Sequence, residues 1–87
     1  MKIKEGYMLK ALAGENVVIN VGPDSADFSK MIRLNGTAAF MWRQLEVGKT
    51  PEETARAVAQ EYGIAPEKAE ADVKKFAAEL LEKGLAE

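Results

Sequence analysis

Cysteine and histidine are both absent from this 87-residue chain, and each absence closes off chemistry. Without Cys there is no disulfide to staple a small fold and no thiolate to hold zinc. Without His the chain lacks the commonest general base and metal ligand. A catalyst would have to use paired carboxylates, an activated Lys, or a metal held by Asp and Glu. The 14 acidic residues are scattered over solvent-face helical positions such as Glu52, Glu53 and Glu61 rather than clustered. A phosphate-cradling glycine motif is missing too, since Gly36, Gly48, Gly63 and Gly84 are isolated turn or cap positions. The expectation is therefore no catalytic residue, no metal ligand and no cofactor. No apolar run approaches the ~18 residues of a membrane span. The opening MKIKEGYMLK lacks the apolar core of a signal peptide, so the expected compartment is the cytoplasm.

What is present is ordinary globular material, 47% hydrophobic and 30% charged, enough for one small domain over 1–87. The net charge of −2 is uneven, with six bases and five acids in 1–48 against six and nine in 49–87. An acidic helical half counts against nucleic acid, whose binders neutralise phosphates with a basic face.

The stretch that organises the chain is MIRLNGTAAFMWRQL, residues 31–45, a strand feeding a helix. Asn35 suits an N-cap, because its side-chain oxygen can accept a free first-turn N–H. Ala38, Met41, Trp42 and Leu45 fall on one helical face, with Phe40 on roughly the opposite one. A helix apolar on two sides is expected to lie between other elements. Trp42 reads as core rather than a ligand-stacking ring, and Phe40 as either a second packing face or a docking surface.

Upstream, strands are expected at 7–12, 16–21 and 30–34, after a loose lead-in at 1–6. Val17, Ile19 and Val21 alternate against Val18 and Asn20, and Gly14-Glu15 and Gly22-Pro23-Asp24-Ser25 supply turns. Downstream, helices are expected at 36–46, 51–62 and 66–83. Thr50-Pro51-Glu52-Glu53 is a capping box with Pro at the first helical position. Pro51, Ala55, Val58, Ala59 and Tyr62 form the stripe of the second helix. Ala69, Val73, Phe76, Ala77 and Leu80 form that of the third. The expected class is α+β, an N-terminal three-stranded antiparallel sheet followed by three helices, like a winged helix-turn-helix.

At LNGTAAFMW (34–42), GKTPEETARAVAQEYGI (48–64) and ADVKKFAAELLEKGL (71–85) the chain resembles the PqqD family, named after coenzyme PQQ synthesis protein D. The resemblance covers most of the chain. It implies a RiPP recognition element: a non-catalytic domain that binds the leader of a ribosomally made precursor peptide. Such a domain presents the peptide to a modifying enzyme, frequently a radical-SAM protein. It further implies that the leader adds as a strand to the third strand, at Lys30, Met31, Ile32, Arg33 and Leu34, in the groove beside the third helix.

One flank of that helix carries Asp72 and Glu79; the other runs through Ala77 and Leu81 to Lys74 and Ala78. The second flank is either a groove wall, whose small residues admit another backbone, or a surface packed on the sheet. As a groove wall it would join Lys74 to Lys30 and Arg33, a locally basic site suited to an acidic, apolar-dotted peptide. Two rivals stand beside this reading. A DNA-binding winged helix-turn-helix regulator would need a basic recognition helix, whereas 66–83 holds five acids and four bases. A structural subunit would only stabilise its enzyme partner and bind no peptide.

Overall fold

The computed structural model describes residues 1–20 and 31–87. In chain order it has strands β1 (Tyr7–Leu12), β2 (Glu15–Asn20) and β3 (Ile32–Leu34), then helices α1 (Gly36–Glu46), α2 (Pro51–Tyr62) and α3 (Pro66–Glu82). The strands form an antiparallel sheet in the order β1-β2-β3. This is the expected α+β arrangement. β2 starts one residue earlier than the sequence implied and α3 stops one earlier, within the ordinary fraying of element ends. Val21, Lys30 and the Gly22-Pro23-Asp24-Ser25 turn lie outside the described residues. Met31 precedes β3 rather than joining it.

Register decides which side chains reach the core. Leu9 pairs with Val18 and Val18 with Ile32, and all three pack into one cluster with the helices. Lys10 pairs with Val17 and Val17 with Arg33 on the other face, because successive side chains alternate. The β1–β2 turn is two residues long, Ala13 at φ 52° and Gly14 at φ 80°. Positive φ at both positions is the hairpin loop whose twist matches the strands.

The lead-in at 1–6 is not loose. Ile3 and Ala86 form an antiparallel bridge. Lys2 N donates to Glu87 O at 2.8 Å, Glu87 N to Lys2 O at 2.9 Å, and Lys4 N to Leu85 O at 3.0 Å. Leu85 and Ala86 are buried, so the end of the chain is part of the core. Sequence reasoning missed this because a three-residue non-local pairing leaves no periodic signal.

Both predicted caps form. Ala38 N donates to Asn35 Oδ1 at 2.8 Å. In α2, Glu53 N donates to Thr50 Oγ1 and Thr50 N to Glu53 Oε1, at 3.1 and 2.9 Å. Trp42 is fully buried at the centre of the cluster, and its Nε1 donates to Glu46 Oε2 at 2.6 Å. A buried indole is thus satisfied at its one polar atom. Ala69, Val73, Phe76, Ala77 and Leu80 are all buried, as the stripe of α3 requires. On α2 the buried set is Thr54, Ala55 and Val58, while Tyr62 is 44% exposed.

Candidate functional site

β3 has a strand on one side only, so its outer row of N–H and C=O groups faces no strand among the described residues. Such an edge is a template for another extended chain. Ile32 and Leu34 turn half-buried side chains to the core, and exposed Arg33 stands on the outer face. Arg33 Nε lies 3.4 Å from Glu15 Oε2, diagonal to it across β2.

Where β3 runs into α1, an open hollow of about 320 Å³ begins. Asn35, Thr37, Ala38 and Met41 form one wall and Asp72, Lys75, Phe76 and Glu79 of α3 the other. Residues spaced 72, 75, 76 and 79 share one side of a helix. Ala38, Met41 and Phe76 give the hollow an apolar floor, and the charged residues give it a polar rim. Lys68 Nζ, 3.5 Å from Asp72 Oδ2, partly neutralises that rim.

The expected site residues are placed as follows. Ile32, Arg33 and Leu34 form the β3 edge, with exposed Met31 just ahead of it; Lys30 lies outside the described residues. Lys74 lines a separate hollow of about 170 Å³ with Pro51, Glu52, Ala55, Glu70 and Val73, on the α2 side of α3. Ala77 is buried, and Ala78 and Leu81 are exposed. Arg33 and Lys74 are therefore not brought together. At ~100° per residue Lys74 points ~160° away from Phe76, so the two cannot wall the same groove. The flank facing the β3–α1 junction is the one with Asp72 and Glu79, which sequence reasoning had set aside as acidic. Its contiguity with the buried stripe was the available signal. What could not be read was which flank α2 covers.

Among the described residues no three potential metal ligands of the His, Cys, Asp or Glu type come together. Nor is any described helix long and apolar enough to cross a membrane.

Comparisons with known proteins match the fold as a whole. The structure of "TbiB1 in Complex with the TbiA(beta) Leader Peptide" is similar over 100% of this chain and 95% of that one, with TM-score 0.79 and 28% identity. "Lasso peptide synthetase B1 complexed with the leader peptide" is similar over 99% and 95%, with TM-score 0.77 and 23% identity, a likeness of fold. Comparison with curated protein sequences gives no match. The sequence profile of coenzyme PQQ synthesis protein D matches residues 8–86. With nearly the whole length matched, this chain belongs to the PqqD family.

Proposed function

We propose that this protein captures the leader of a ribosomally made precursor peptide and presents it to a peptide-modifying enzyme, radical-SAM or other, without catalysing a step itself. The observation that carries the reading is the outer edge of β3, which no strand among the described residues pairs and which runs into the hollow between α1 and α3. An extended peptide added there gains main-chain hydrogen bonds from the alternate residues of β3 whose N–H and C=O groups point away from β2, and its alternate side chains reach the apolar floor at Ala38, Met41 and Phe76. Two structural neighbours were solved with leader peptides bound. A chain lacking His and Cys is equipped to hold a substrate rather than transform it. We place its work in the cytoplasm, where precursor peptides are made, and assign it no cofactor. Exposed Lys74, Ala78 and Leu81, turned away from the hollow, remain available to the enzyme partner rather than to the strand, while Ala77 is part of the core. A DNA-binding role is disfavoured by the acids that α3 carries at Asp72 and Glu79.

The test is hydrogen exchange with a synthetic leader taken from short open reading frames flanking the gene. Binding should slow exchange at β3 amides and leave α2 unchanged. Slowing confined to the helices, or none with any such peptide, would overturn the proposal.

A further inference from the structure

A strand added to β3 alternates like any other, so half of its side chains leave the groove and stand on the outer face of the sheet. The residue directly opposite Arg33 is one of these. We infer that Arg33 is a specificity-determining residue that selects an acidic side chain at this outward position of the leader. The inference rests on the proposed strand addition and adds to it the charge of one peptide residue.

Three observations support it. Arg33 is the centre of the three-residue β3 and stands exposed opposite Val17, a buried apolar neighbour that makes no claim on the guanidinium. Its ion pair among the described residues uses Nε, with Glu15 Oε2 at 3.4 Å, and its side chain stays 77% exposed. A guanidinium presents five donors in a fork, so the two terminal amino groups can serve a second carboxylate while Nε keeps the first. Beside it an open hollow of about 340 Å³, whose lining includes Glu15, Asn16, Arg33, Leu34 and Asn35, leaves room for that carboxylate. Glu15 is the one acid on this rim and the competitor for Arg33. The first turn of α1 adds no acid. Opposite charges across paired strands stabilise modestly, so the preference is worth about two- to fivefold in affinity. A net charge of −2 would repel acidic peptides in general, so a preference at one position cannot come from bulk attraction.

The experiment selects a random dodecapeptide library on the wild type, on Arg33→Gln and on Arg33→Glu, each checked for folding by circular dichroism. The wild-type pool should enrich Asp or Glu at one fixed, odd spacing from the apolar anchors. The Arg33→Gln pool should keep the anchors and lose the acid, and the Arg33→Glu pool should place Lys or Arg there. A selected peptide with that acid changed to its amide should lose about two- to fivefold in affinity for the wild type and nothing for Arg33→Gln. Identical charge at every position in all three pools would overturn the role of Arg33 while leaving strand capture intact. Absence of any enriched peptide would instead remove strand capture itself, and this inference with it.

Discussion

Phe40 on α1 and Tyr62 on α2 meet edge to face, with ring centroids 5.7 Å apart and planes at 87°. The Tyr62 hydroxyl also reaches toward Gly36 O, 3.4 Å away at the start of α1. Phe40 thus has a partner on the second face of its helix, which settles in favour of packing the choice that periodicity left open. Aromatic pairs of this geometry contribute ~0.5–1.5 kcal/mol beyond the area they bury. A double-mutant cycle with Phe40→Leu and Tyr62→Leu should give a coupling energy in that range by urea denaturation. Additive losses would mean that the rings are neighbours without being partners.

Thr54 is fully buried on α2, and its Oγ1 has no hydrogen-bond partner among the described residues. An unsatisfied buried hydroxyl costs ~1–3 kcal/mol. Thr54→Val keeps the shape and removes the polar atom, so it should raise stability by about 1 kcal/mol. A lower denaturation midpoint would show that the hydroxyl has a use in the folded protein.

Glu53 closes the capping box of α2, and the hydrogen bonds from the Thr50 backbone and side chain hold its carboxyl below its ordinary pKa. A depressed pKa stabilises the fold fully above the ordinary value, and that stability is lost as pH falls through the lowered one. Thermal midpoints recorded from about pH 5 downward should therefore drop less steeply in Glu53→Gln than in the wild type. Equal slopes would place the acid sensitivity elsewhere.

Ala13 stands at φ 52° in the β1–β2 loop. A left-handed backbone costs an L-residue with a Cβ ~1–2 kcal/mol, less for Asn, whose side chain bonds locally. Ala13→Asn creates the Asn-Gly pair that this loop favours and should stabilise the hairpin by ~0.5–1 kcal/mol. The measurement is the denaturation midpoint of the single variant; an unchanged or lower value would mean the loop is not strained.

Much of this architecture was legible because its signals are local. The caps at Asn35 and Thr50, and the α3 stripe from Ala69 to Leu80, follow from spacing along one stretch of chain, and the structure shows them as read. The three strands were found from alternation and turn residues, with small errors at their ends. Besides the pairing of residues 2–4 with 85–87, three features were not legible, each because it depends on a partner far away in sequence. Thr54 reads as a polar helix residue, and only the packed helices reveal that it is buried. The flank of α3 that joins Asp72, Phe76 and Glu79 to Asn35 and Met41 is chosen by where α2 lies, which neither helix encodes alone. Arg33 and Lys74 looked like one basic site because both flanked a groove drawn from analogy. Register puts Arg33 on the outer face, and helical phase puts Lys74 toward α2.

The pairing of residues 2–4 with 85–87 has a topological consequence. Lys2 and Glu87 exchange hydrogen bonds in both directions, which sets their Cα atoms ~5.5 Å apart. A few added residues could join these positions with little loop-closure cost. The chain could then be reopened in the exposed segment between α1 and α2, around Val47 and Gly48. A circular permutant made this way would begin with α2 and α3 and deliver the sheet and α1 last. All the core pairings would survive, since none depends on the order in which the elements follow one another along the chain.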